Sequence, residues 1–164
     1  MTSARYQILE QLKEALEKID GSGAFHNDVR GAGGVQLWDA RGFKIETLPA
    51  ILVWYQTESI TPGPAGYEGL VTRFLEVTVD AVVEEVEDSD GHTNPDAARI
   101  ELLLEDVERA LTADPEIGDL AKNSEITAVE PFPSQEDSRQ IGGHIRLRVH
   151  YMTPENDPST AVTT

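Results

Sequence analysis

The sequence predicts an α+β fold in a single domain: a mixed or antiparallel β-sheet of about four to five strands with two main α-helices, in the order α-β-β-β-α-β-β. Three stretches carry this expectation. From Arg73 to Glu84, Leu75, Val77, Val79, Ala81 and Val83 alternate with Phe74, Glu76, Thr78, Asp80, Val82 and Glu84, the period of two that buries one face of a strand. From Ala97 onward, Ile100, Leu104, Val107 and Leu111 recur at spacings of three and four, with Glu101, Glu105, Glu108 and Thr112 on the wet side, which is a helical stripe. Near the C-terminus Ile145, Leu147, Val149 and Tyr151 alternate with His144, Arg146, Arg148 and His150, giving a second amphipathic strand.

Taken in order, Thr2 or Ser3 caps a first helix whose stripe is Leu9, Leu12, Leu16 and Ile19, ending at Asp20-Gly21. The glycine-rich stretch 21–34 holds Phe25 and Val29, consistent with a short strand around 24–30 followed by a turn at 31–34. Ile51 to Tyr55, entered through Pro49, is apolar and β-branched or aromatic, hence a strand. Pro62, Gly63, Pro64 and Gly66 make 58–69 an extended, exposed loop. The 73–84 strand follows, then a helix signposted by Asn94 as N-cap, Pro95 at the first helical position and Asp96 at the positive dipole end, stopped by Asp114-Pro115. Ile126 to Glu130 forms a strand, Pro133 to Gln140 a polar loop, and Gly143 to Met152 the last strand. The domain therefore covers 1–152, and 153–164, with few large apolar groups, is expected to be a flexible polar C-terminal tail.

Composition narrows the function classes. Lys plus Arg number 13 against 30 Asp plus Glu, a formal charge of −17, which opposes any sequence-independent grip on nucleic-acid phosphates. The acid is concentrated: Glu76 to Asp119 holds fifteen carboxylates against Arg99 and Arg109, which is −13 of the −17. The absence of cysteine excludes disulfides, thiol nucleophiles and thiolate metal sites. No apolar run approaches the roughly 18 residues of a membrane span, so a soluble protein with no membrane partner is expected.

The chemistry-bearing candidates are weak. His144 and His150 share a strand face but lie about 20 Å apart along it. Asp88-Ser89-Asp90-Gly91-His92 begins like a calcium loop, yet lacks the glycine spacing and the closing Glu. Gly31-Ala32-Gly33-Gly34 has neither the preceding strand nor the following lysine of a phosphate cradle. Trp38, Trp54 and Tyr55 read as core or interface aromatics. No catalytic, cofactor-binding or metal-binding residue is expected, and the chain is read as non-enzymatic. The outer face of the 73–84 strand offers Glu76, Asp80 and Glu84, and that of the last strand Arg146 and Arg148; in one sheet these sit opposite one another. We expect the two strands to be neighbours.

Several stretches resemble one family when taken together. Leu103-Leu104-Glu105-Asp106-Val107-Glu108-Arg109-Ala110-Leu111, Ala113-Asp114-Pro115-Glu116-Ile117-Gly118-Asp119-Leu120-Ala121, Ile126-Thr127-Ala128-Val129-Glu130-Pro131 and Ile145-Arg146-Leu147-Arg148-Val149-His150-Tyr151 resemble the tail terminator proteins of long-tailed phages, also called tail-completion or minor tail protein U-like proteins. The first helix, Pro49 to Val53 and Leu75 to Val79 fit the same order, so the resemblance covers most of 4–152. It implies a virion protein at the head-proximal end of the tail, assembled in the host cytoplasm, that closes as a homo-hexameric ring on the tail tube. It would stop polymerisation and offer the head connector or neck protein a docking surface, with DNA passing through a carboxylate-rich lumen without specific binding. The subunit-interface or lumen candidates are Glu76, Asp80, Glu84, Glu85, Glu87, Asp88, Asp90, Arg146 and Arg148, with the turn at 31–34 and the 58–69 and 84–92 loops as contacts. The acidity and the polar tail depart from the family picture, and a saline host environment is another source of such acidity. Alternatives are another neck, connector or tube protein of the same machinery, an acidic DNA mimic that inhibits a DNA-binding protein, or an enzyme with an unrecognised carboxylate site.

Overall fold

The computed structural model describes residues 2–31, 33–38, 44–84, 95–132 and 140–162, with only the backbone of 95–97. The elements run α1 (Ala4–Leu16), β1 (Val35–Leu37), β2 (Ala50–Pro62), β3 (Leu70–Glu84), α2 (Pro95–Thr112), β4 (Asn123–Phe132) and β5 (Gln140–Pro154). The sheet order is β1-β2-β3-β5-β4. β1 pairs parallel with β2 and every other pairing is antiparallel, so the fold is a mixed-sheet α+β domain in the expected element order.

Both helices lie on one face of the sheet. Ile8, Leu12 and Leu16 of α1 and Ile100, Leu103, Leu104, Val107 and Leu111 of α2 share a single core with Ile51, Val53, Leu75, Val77, Val79, Ile145, Leu147 and Val149 of the strands. Full burial of such a side chain contributes roughly 1.5–3 kcal/mol, so this inner face is where the fold's stability concentrates. A glycine pair brings α2 close: a Cβ on Gly143 would meet the Leu104 methyls at 2.9 and 3.0 Å, and one on Gly142, pointing the other way, would meet the Phe132 ring at 2.3 Å and the Ala81 carbonyl at 2.5 Å.

Several boundaries differ from expectation, each for a physical reason. Ser3 caps α1 by accepting from the Tyr6 amide, but the helix ends at Leu16 and not at Asp20-Gly21. Ile19 stays buried because its amide continues the chain as a turn onto the Leu16 carbonyl. The expected strand at 24–30 is irregular, touching its neighbours through an Asp20–Asp28 bridge and the bond from the Val29 amide to the Ile19 carbonyl. The strand that replaces it, β1, begins after Gly34, where a Cβ would lie 1.9 Å from the Val29 carbonyl.

The supposed loop 58–69 is mostly hairpin. The β2–β3 ladder runs on through Glu58↔Leu75 to Pro62↔Val71, past a bulge between Tyr55 and Thr57. Pro62 is tolerated because it stands at the last rung, and Gly63 supplies the closing amide to the Leu70 carbonyl at 3.1 Å. The tail boundary at 152 falls within β5, where Met152 and Thr153 are fully buried. Beyond it the chain is held mainly by its backbone, with Ala161 packed against the core: the Ala4 amide donates to the Pro158 carbonyl, Gln7 Nε2 to the Ser159 carbonyl and the Val162 amide to the Met152 carbonyl. The Asn94 cap and most of the 133–140 loop lie outside the described residues.

Candidate interaction surface

Among the described residues, no helix packs on the face of the sheet opposite the core, although Leu52, Thr78, Val82 and Met152 on it are buried, and the charged candidates gather there. β3 and β5 are adjacent and antiparallel, with Glu76↔Arg148, Thr78↔Arg146 and Asp80↔His144 directly opposite, as the alternation in the two strands requires. Arg148 Nε donates to Glu76 Oε1 at 2.7 Å, and its Nη1 lies 3.9 Å from Glu125 of β4. The Glu76 carboxylate beside it holds the guanidinium pKa above its ordinary value. Arg146 turns away from β3 and donates to Glu130 of β4 at 3.0 Å. Asp80 accepts from Trp54 Nε1 at 3.0 Å and meets His144 Nδ1 at 2.5 Å. The Phe132 ring lies 4.5 Å from that imidazole.

The result is a basic strand flanked by two acidic ones, with Arg148 set between Glu76 and Glu125 and Arg146 against Glu130. Glu84 sits at the exposed end of this ladder, opposite Gln140, and its carbonyl accepts from Arg99 Nη1 at 2.7 Å. Glu85, Glu87, Asp88 and Asp90, together with the calcium-like stretch 88–92, lie outside the described residues.

The two histidines occupy separate sites, as their spacing requires. His150 stacks on Phe74 with ring centroids 4.8 Å apart, and its Nε2 is buried with no hydrogen-bond partner. Burial, helped by the charge of Lys122, lowers its pKa. Among the described residues no group of three or more His, Asp or Glu is placed to hold a metal ion, and no helix is long and apolar enough to cross a membrane.

Sequence reasoning missed two buried carboxylates on the helix side. Asp106 of α2 is fully buried and accepts from the His26 and Asn27 amides and from Asn27 Nδ2 at 2.8–3.0 Å. Arg109 Nη1 stands 3.5 Å away and donates to the Ala24 carbonyl. Glu58 of β2 is held by Arg73 Nη1 at 2.8 Å, by Arg5 Nη1 at 3.4 Å and by the Tyr151 hydroxyl. Burial, and then that hydrogen bond to Glu58, push the Tyr151 pKa well up. The only signal for Asp106 was a carboxylate beside the buried stripe of its helix, and for Glu58 a charge on the core-facing side of β2 once the bulge is counted.

A second surface feature lies at the β1 edge. Ser3, Arg5, Tyr6, Leu9, Leu37, Trp38, Trp54 and Tyr55 line a groove of about 280 Å³, with Trp38 55% and Tyr6 42% exposed. Arg5 sits over the Tyr55 ring at 4.8 Å. The aromatics read as core or interface residues are thus one half-exposed cluster. A scan against protein-family models finds none that matches the chain, and a search of curated proteins finds no significant match.

Proposed function

We propose that the chain is a structural virion protein that closes as a hexameric ring on the end of a phage tail tube, stops its polymerisation and presents the head-joining surface. One observation supports this reading most directly. A single α+β subunit with the element order that the resemblance implies carries an open sheet face whose Glu76, Asp80 and Glu130 are already matched by Arg148, His144 and Arg146. A face on which Arg146 and Arg148 offset part of the carboxylate charge repels an approaching protein less than its carboxylates alone would.

On this reading the partners are further copies of the chain, the tube protein and the connector. DNA slides through a lumen whose unpaired carboxylates repel phosphate. Repulsion between subunits makes assembly salt-dependent: divalent ions or higher salt promote ring closure.

Native mass measured with and without Mg²⁺, together with negative-stain images of tail tubes incubated with the protein, tests the reading. Closed rings on tube ends are expected. Open tubes made by the chain itself point to a tube subunit of the same machinery. A strict monomer or dimer that ignores tubes but binds a basic DNA-binding protein points to a DNA mimic.

A further inference from the structure

Two edges of the sheet stand open. β1 covers β2 only from Ile51 to Val53, and among the described residues the outer arm of β2 pairs with β3 alone. Trp38 is tied to Val53 and Lys44 to Gln36. The chain between those two ties can run out along β2 and back by no more than about 11 Å, roughly three residues of strand. Glu58 to Pro62 therefore lie past its reach. At the other side of the sheet, β4 pairs with β5 alone among the described residues. Such an edge offers unpaired amides and carbonyls to another strand.

The same two features coincide once on each edge. The Gly63 amide donates to the Leu70 carbonyl, and alternation from that rung turns the amide and carbonyl of Ile60 outward. The Glu130 carbonyl oxygen lies 3.3 Å from the place of a Cβ on Gly143, so it faces β5, and alternation turns the amide and carbonyl of Val129 outward. Ile60 stands opposite Arg73 and Val129 opposite Ile145, which puts both side chains on the helix side of the sheet. Both are bare for large aliphatic residues, Ile60 54% exposed and Val129 39%.

The strand directions fit as well. Each step from β2 through β3 and β5 to β4 is antiparallel, so β2 and β4 run opposite ways. A rotation about an axis along the strands then sets β4 of one copy antiparallel to β2 of the next. We infer that β4 of one copy adds to the free edge of β2 in the next, with Ile60 opposite Val129. In this register Thr61 meets Ala128 and Ser59 meets Glu130, a hydroxyl beside a carboxylate, on the open face. Pro62 and Pro131, which lack an amide, fall at the two ends of the added ladder, against Thr127 and Glu58.

Pairing of like edges fits less well. Two copies of β4 centred on Val129 set their Glu130 carboxylates diagonal to one another, and two copies of β2 leave Val129 bare. The unlike pairing covers both aliphatic side chains and is head-to-tail, closing only when the rotation per subunit allows it. It deepens the ring reading and rests on it for the meaning of closure, though the contact itself can be tested alone.

The chain has no cysteine, so introduced thiols report the contact without background. Thr61→Cys and Ala128→Cys form a non-hydrogen-bonded pair in this register, with Cα atoms about 4.5 Å apart, within disulfide reach. Under a mild oxidant, an equimolar mixture of the two variants, each in the full chain, should yield a disulfide-linked pair holding one copy of each, and neither variant alone should cross-link. Val129→Pro removes an amide from the outer edge and none from the rungs to β5, so it should melt like the wild type. Its self-association should weaken roughly tenfold or more by sedimentation velocity. Val129→Lys, a change at an exposed side chain, serves as the second edge variant with the same expected loss.

A mixture that gives no mixed disulfide overturns the inference, and so does wild-type association by Val129→Lys. Cross-linking of either cysteine variant with itself overturns it in favour of like-edge pairing. Rings of wild type on tube ends would then leave the capping reading standing. Mixed disulfides from a chain that never caps tubes support the contact and remove the capping.

Discussion

The two faces of the sheet hold their carboxylates by different means. On the helix side Asp106 and Glu58 are withdrawn from water, and each is saturated by several donors: three or more from backbone and side chain for Asp106, and two guanidiniums with a phenol for Glu58. On the open side Glu76, Asp80 and Glu130 each meet one cation or imidazole near solvent. A buried carboxylate without its donors loses the full cost of its desolvation, whereas a surface pair forgoes a screened attraction. The same residue type is therefore part of the fold on one face and part of the recognition surface on the other.

Removing Asp106 should break the comparison most sharply. Asp106→Ala leaves the His26 and Asn27 amides and Arg109 without their acceptor, and is expected to cost about 3–5 kcal/mol in chemical denaturation. That is a large share of the roughly 5–15 kcal/mol that holds a domain folded. A loss below about 1 kcal/mol would mean that water replaces the carboxylate and that the 21–34 segment is not anchored by it.

The paired glycines sharpen the contrast at the next level. Gly142→Ala drives a methyl into the Phe132 ring on the open face and into the rigid Ala81 carbonyl, while Gly143→Ala meets only the mobile ends of Leu104 below 3.3 Å. The first should cost about 1–3 kcal/mol and the second less. Equal losses would show that α2 is as unyielding as the backbone of β3.

The charge ladder should respond more weakly still. The double variant Arg146→Glu/Arg148→Glu sets like charges beside Glu76, Glu125 and Glu130, and a fall of a few degrees in Tm is expected, accompanied by weaker assembly. An unchanged Tm and an unchanged oligomer size would sink the view that this face is built from matched pairs.

How much of this was legible depends on where the partner lies. The adjacency of β3 and β5 follows from local alternation: Glu76 and Asp80 on one strand and Arg148 and His144 on the other must share a face, and two amphipathic strands in a small sheet have few other arrangements. The turn chemistry of Pro62, Gly63 and Pro64 was real as well, but a β-bulge near Gln56 and a terminal rung at Pro62 let the ladder run further than the composition of 58–69 suggests. The 24–30 segment was opaque because its organising group, Asp106, is 79 and 80 residues away in sequence. The tail was opaque because backbone amides and carbonyls, which carry no sequence signature, hold it to α1 and β5. The aromatic groove joins residues of α1, β1 and β2, so no single stretch displays it.

The smallest effect isolates one imidazole. His150 lies between the Phe74 ring of β3 and the Asn123 rung of β4, with Lys122 nearby. Its buried Nε2 has no acceptor to stabilise a proton. Burial and the Lys122 charge thus lower its folded pKa below the ordinary value of about 6.5. The unfolded chain then takes up the proton first as pH falls. The contribution of the neutral ring to stability is fully present above about pH 6.5 and is lost progressively as pH drops toward the lowered folded value. Asp28, held at about 2 mainly by its hydrogen bond to Arg30, acts in a separate window, its contribution being present above about pH 4 and lost as pH falls through 2. A Tm profile between pH 7 and 5 should therefore fall slightly for the wild type and flatten in His150→Phe, which keeps the stack on Phe74 and removes the titration. The ring is only partly buried, which keeps the difference small. Parallel profiles for the two proteins would assign the wild-type slope to carboxylates and leave His150 as a stacking residue alone.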